Sequence, residues 1–164
     1  LKELHAPNNH GLWYDAIRLM TAKAAGLDDR VREIAENSVK PRFAAQVAAD
    51  GSLPKELERT LSLHYSTFVL EALSTARNVA LSANAEFWIM PEAQRVLEFL
   101  LPYYEEPAAW PHLQIKPFER RRGAALLYEA GIALGRSEWI DAARRIGYKG
   151  GKADFADMLF FELQ

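Results

Sequence analysis

An all-α fold of paired helices is what this sequence predicts, and three observations predict it. Apolar residues recur at three- and four-residue spacings along almost the whole chain. No β-hairpin signal and no clean short-period repeat interrupts them. The breaks, at Gly26, at Asp50-Gly51-Ser52-Leu53-Pro54 and among the prolines from Pro102 to Pro117, leave intervals that suit helices joined as αα-hairpins.

The first helix follows Asn8, with Leu12, Trp13, Ala16, Ile17 and Met20 as its apolar positions and Gly26 as its stop. Asp28 or Asp29 is a suitable cap for the second, whose apolar face runs through Val31, Ile34, Ala35 and Val39. Pro41 should kink or split that helix before Phe43, Ala44 and Val47. A third helix begins near Ser62 and carries Phe68, Val69, Ala72, Leu73, Ala76 and Ala80. A fourth runs from about Pro91, a favourable first helical residue, through Val96, Leu97 and Leu100. Four prolines mark residues 102–117 as a long irregular loop. A fifth helix spans roughly Phe118 to Leu134 and a sixth roughly Glu138 to Arg145; glycines follow, before a last short helix near Phe155.

At 164 residues, with 49% hydrophobic and 26% charged, the chain suits one folded domain over residues 1–164 rather than a disordered segment. A net charge of −2 gives no basic field, so nucleic acid is not an expected partner, although a locally positive cleft on such a protein still accommodates an anionic sugar. The absence of cysteine excludes disulfides and thiolate metal sites. No apolar run approaches the ~20 residues of a membrane span, so no membrane partner is expected. The chain begins with Leu1, and a polar motif at residues 8–10 leaves little upstream to build the far wall of a cleft. The expectation is therefore that the chain packs against an N-terminal portion of the same protein which it does not contain, any export signal lying there.

The chemistry is concentrated in Pro7-Asn8-Asn9-His10-Gly11-Leu12-Trp13-Tyr14-Asp15 and Arg59-Thr60-Leu61-Ser62-Leu63-His64-Tyr65. Two amides, an imidazole and a turn glycine precede one amphipathic helix, and a second imidazole beside a phenol opens another. Helix lengths of about 1.5 Å per residue return residues 50–65, and later Trp110-Pro111-His112, to the end of the layer where His10 sits. Three distant stretches should thus meet on one rim.

Asn-Asn-His, the arginine upstream of His-Tyr, and Trp-Pro-His resemble the alginate lyases built on an α/α toroid, over most of residues 7–117. The resemblance implies a partial (α/α) toroid and a lyase that cleaves a uronic-acid polymer by β-elimination. It also implies no organic cofactor, an anionic polysaccharide partner, and a periplasmic or secreted location. Breaking such a polymer requires the carboxylate on C5 to be neutralised, the C5 proton removed and the C4 oxygen expelled. By matching motif positions, Asn9 and Arg59 would bind the carboxylate, His10 would bind it or act as base, and Tyr65 would give a proton to the leaving oxygen. One tyrosine could serve both proton transfers where C5–H and C4–O share a side. Asn8, Trp13, His64, Trp110 and His112 are the expected substrate-binding residues. Only Arg59 stands close upstream of Tyr65, where better-known members have an arginine-rich segment, which leaves alginate and glucuronan both open as substrates.

Blander readings stand beside these. Asn8 and Asn9 suit a helix cap, Arg59 suits an ion pair with Glu56 or Glu58, Tyr65 suits a half-buried phenol, and Trp13 and Tyr14 suit the core. Arg120-Arg121-Arg122 reads as a solvated helix start or as a holder of polymer carboxylates. The histidines with Asp15 lack the spacing of a zinc site, so no metal is expected. The alternatives are a helical carbohydrate-binding or scaffold domain without catalysis, and a glycoside hydrolase on the same toroid. The latter needs two carboxylates across the cleft, and Asp15, Asp50 and Glu56 offer no evident pair.

Overall fold

Asn8 starts the first helix: its backbone is extended and its side chain accepts from the His10 N–H at 3.2 Å. The computed structural model describes residues 3–150. Helix α1 runs Asn9–Ala24 and ends in a Schellman turn, with Gly26 at φ +71° and the Leu27 N–H on the Ala22 carbonyl. Its buried stripe is Leu12, Asp15, Ala16, Leu19 and Ala22. Ile17 and Met20, expected inside, are exposed (54% and 39%). The reason is Asp15, which occupies a core position because Arg18 (2.8 Å) and Arg42 (2.6 Å) neutralise it, rotating the aliphatic pair outward.

Helix α2 (Asp28–Ile34), a π-turn (Ala35–Val39) and α3 (Lys40–Ala44) form one continuous rod. Leu27, not either aspartate, is its N-cap; Asp28 and Asp29 lie in the first turn, where the helix dipole favours them. Pro41 does not split the rod. The wider π-turn ahead of it, with the Lys40 N–H bonding the Ala35 carbonyl, absorbs the ring and the missing donor.

After a short α4 (Pro54–Leu57), α5 spans Ser62–Ala80 and α6 Pro91–Glu105. The expected irregular stretch begins only after Glu105, because helix α6 runs through Pro102. Pro102 and Glu98 both lie on the solvent face, so water can take the carbonyl that proline leaves unpaired. Helix α7 (Arg120–Leu134) is capped by the Glu119 side chain, and α8 (Ser137–Ile146) follows Gly135 at φ +68°. The expected helix near Phe155 lies outside the described residues.

Cross-contacts order these elements into two rows. Trp13 meets Phe68, and Arg122 and Glu129 of α7 reach Glu71 and Ser74 of α5, so α1, α5 and α7 run parallel. The α2–α3 rod, α6 and α8 return behind them: Arg42 reaches Asp15, Tyr104 reaches Thr67, and Arg145 reaches Glu105. Leu12, Leu19, Phe43, Leu63, Leu70, Trp88, Leu100 and Trp139 fill the space between. Gly123 is required there, since a Cβ would enter the Tyr104 ring. The rows matter for function because all three front helices start at the same rim.

Candidate active site

The first turn of α1 holds Asn8, Asn9 and His10. Asn9 is 1% exposed, and so is Glu56 on α4. The Asn9 backbone N–H donates to Glu56 Oε1 at 2.8 Å and its Nδ2 to Oε2 at 2.9 Å. His10, one residue on, is exposed. Gly11 lies inside the helix rather than in a turn. It is small because the Ala6 carbonyl and the Arg42 guanidinium crowd the site of its absent Cβ. That arginine also donates to the Ala6 and Leu4 carbonyls at 2.9 and 2.8 Å, strapping the N-terminal segment over this turn.

Glu56 also receives the Arg59 backbone N–H on its carbonyl, at 3.1 Å. Its carboxylate is taken by Asn9, and Glu58 pairs with Lys55 (3.5 Å), so the ion pair expected of Arg59 does not form with either. The Arg59 guanidinium instead lies over the Tyr65 ring, 4.1 Å from its centroid. Tyr65 is half-buried in the first turn of α5. Asn9, Glu56, Arg59 and Tyr65 therefore form one chain of contacts.

His64 stands edge-on to Tyr65, with centroids 5.4 Å apart. Its Nδ1 meets Nη1 of Arg122, and Arg122 grips Glu71 through two bonds of 2.7 and 2.6 Å. A guanidinium only donates, so the imidazole nitrogen that meets it accepts. Burial, and then the Arg122 charge, bring the His64 pKa down to about 4, so the ring is neutral at physiological pH. One turn along, Phe68 lies between Trp13 (4.8 Å) and His64 (6.2 Å), completing an aromatic surface across α1 and α5.

The loop after α6 closes one side. Its backbone pairs with residues 60–62: Ser62 N–H to Leu113 O and Ile115 N–H to Thr60 O, both 3.0 Å. The Gln114 side chain accepts from the Leu63 and His64 N–H groups (3.1 and 3.4 Å), capping α5 from 51 residues away. Trp110 is nearly buried: at 8% exposure it donates to Ser62 Oγ at 2.7 Å and packs edge-on against Tyr103. His112, beside it, is exposed.

Sequence reasoning missed Glu56 as a partner of Asn9, read Phe68 only as an apolar helix position, and missed Gln114 and Glu71 entirely. The arginine triplet was visible but its division of labour was not. Arg120 caps α6 through the Tyr104 and Glu105 carbonyls, Arg122 holds His64 and Glu71, and Arg121 is exposed. Among the described residues no group of three His, Cys, Asp or Glu is placed to hold a metal. The carboxylates considered for hydrolysis are engaged: Asp15 by two arginines, Glu56 by Asn9, and Asp50 by the Ser52 N–H.

Two comparisons follow from this geometry. Residues 1–110 match the alginate lyase family. The crystal structure of an alginate lyase from Bacteroides ovatus superposes with a TM-score of 0.82 at 25% identity, over 90% of this chain and 41% of that one. The two rows of helices are thus an arc of a helical toroid, and the chain spans well under half of that relative. No curated protein sequence matches.

Proposed function

This chain belongs to the alginate lyase family, and we propose from that premise that it carries the catalytic rim of a polysaccharide lyase acting on a uronate polymer. The observation that supports this most is the contact chain Asn9–Glu56–Arg59–Tyr65 at the rim shared by α1 and α5. It links Asn9 through Glu56 to the Arg59 backbone and lays the Arg59 guanidinium over the Tyr65 phenol, with exposed His10 next to Asn9.

The reaction places specific demands on these groups. An ionised C6 carboxylate resists further negative charge on C5. Donors from Asn9 and the Arg59 fork would share that charge as it spreads into an enolate. A base, His10 or Tyr65, takes the C5 proton; the electron pair forms the C4–C5 double bond; the C4–O bond breaks; and the oxygen receives a proton from Tyr65. The product is a 4,5-unsaturated uronate end. His64, neutral and turned toward Tyr65, would hold the phenol without adding charge. Trp13 and Phe68 offer a sugar ring an apolar face, Asn8 fixes the turn carrying His10, and His112 borders the rim. Polymannuronate or glucuronan is the substrate class, and the location is periplasmic or secreted, where such polymers are met. The other wall of the cleft would come from the remainder of the polypeptide on the N-terminal side.

Elimination is distinguished from hydrolysis by its product, whose conjugated double bond absorbs ultraviolet light. The full-length protein with polymannuronate or glucuronan should generate that absorbance. Reducing ends without absorbance would establish a hydrolase, and no cleavage of any uronate polymer would establish a binding domain.

A further inference from the structure

Glu56 is an unusual neighbour for a site that receives an anionic polymer. A buried carboxylate there is unfavourable unless donors fully occupy it. Both of its oxygens are engaged by a single residue, one by the Asn9 backbone N–H and the other by Nδ2. A glutamine could not do this, since its own amide nitrogen would face one of the two donors; only an acceptor at both oxygens satisfies both. The pairing also fixes the Asn9 amide, because Nδ2 must point at Glu56 and Oδ1 away from it. At 1% exposure that amide has almost no room to turn. The same Glu56 holds the Arg59 backbone through its carbonyl.

We infer that Glu56 is the positioning residue of this site: its carboxylate fixes the orientation of the Asn9 amide, and its backbone sets where Arg59 begins. Asn9 and Arg59, the two proposed carboxylate donors, are thereby tied to one residue that lies 47 positions from Asn9 and bonds the Arg59 backbone directly. This rests on the lyase reading above.

The test is a double-mutant cycle in the full-length protein, following the ultraviolet product on polymannuronate or glucuronan, with folding checked by thermal unfolding. Glu56→Gln should lower kcat by about 10²-fold, the usual cost of misplacing one donor to a developing anion, with KM changing less. In an Asn9→Ala background the same substitution should cost less than about threefold more, because its effect passes through Asn9. Equal losses in both backgrounds, near-normal turnover in Glu56→Gln, or near-normal turnover in Asn9→Ala would each overturn the inference. Should Glu56→Gln fail to fold, Glu56→Asp, which keeps the charge but withdraws it by one methylene, carries the same cycle. A wild-type protein that makes no absorbing product on any uronate polymer overturns the lyase reading itself.

Discussion

Acid should destabilise this fold through one identifiable ring. His64 is half-buried against α7, with Arg122 on its Nδ1 and the Arg122-bound Glu71 beyond, and its pKa falls from 6.5 to about 4. Burial is the larger cause and the guanidinium the second. Between these two values the unfolded chain binds a proton that the folded chain refuses. Stability is therefore complete above pH 6.5 and is lost as pH falls toward 4. The ceiling is about 1.4 kcal/mol per pH unit. Since solvent reaches half the ring and screens the arginine, we expect about 1–2 kcal/mol across the window.

His64→Asn isolates this contribution. The shorter amide keeps an acceptor near the Nδ1 position and cannot titrate. Urea denaturation of both proteins at about pH 7 and about pH 4.5 should show the wild type losing about 1–2 kcal/mol more than the variant, other carboxylates cancelling in the difference. The imidazole proton shifts should titrate near 4 in the folded wild type. A ring that titrates at its ordinary value, or equal acid losses in the two proteins, would refute the reasoning.

Tyr65→Phe keeps the ring under Arg59 and removes one hydroxyl. Turnover should fall by about 10²–10⁴ with little change in melting temperature, and near-normal turnover would defeat the site assignment. Arg59→Lys keeps the charge but loses the fork and the flat contact over Tyr65, so kcat/KM should drop by at least about tenfold, measured on the same polymers. Gln114→Ala removes the cap supplied to α5 across the loop and should cost about 1 kcal/mol in urea denaturation, with weaker protection of the Leu63 and His64 amides from exchange. His10→Ala separates the two candidate bases. If His10 is the base, the pH–rate profile should lose a titration step in the residual activity; if Tyr65 performs both transfers, the profile should keep its shape.

Local punctuation made most of the fold legible. Asn8, Gly26 and Pro91 act where their chemistry places them: a side-chain cap, a left-handed stop and a first helical residue. Pro41 is tolerated by a local adjustment, the π-turn into which the chain widens just before it. Elsewhere a neighbour distant in sequence overrides the local rule. Asp15 displaces Ile17 and Met20 from the core because Arg42 arrives from another helix to pair with it. Trp110, next to a proline and a histidine, carries no local sign that Ser62 and Tyr103 hold it. At the rim the motif residues were visible as types, but their partners were not. Nothing at Glu56, Glu71 or Gln114 marks them locally, since each has its side-chain partner at this rim 47–51 positions away.

The architecture explains why this chemistry gathers at one end. Three parallel helices, α1, α5 and α7, start at the same rim, each with unpaired N–H groups and the positive end of its dipole there. Such a rim would attract any nearby carboxylate, including the protein's own. Glu56 fills the first N–H of α1 and the Asn9 amide, Gln114 fills two N–H groups of α5 without charge, and Glu119 caps α7. The acidic groups are thus placed to satisfy the helix starts, and Glu71 is held by Arg122 rather than by Arg59. The Arg59 guanidinium lies over Tyr65 at this rim, with exposed His10 on the adjoining turn. Glu56 and Glu71 are thus turned to other donors than the Arg59 guanidinium, the first to the start of α1 and the second to Arg122. An added carboxylate should therefore be accepted there only at the expense of one of those pairs, so Gln114→Glu, which places an ionised cap beside Tyr65 and His64, should keep α5 capped yet raise KM for the polyanion. An unchanged KM in that variant would show that the field at this rim does not govern binding.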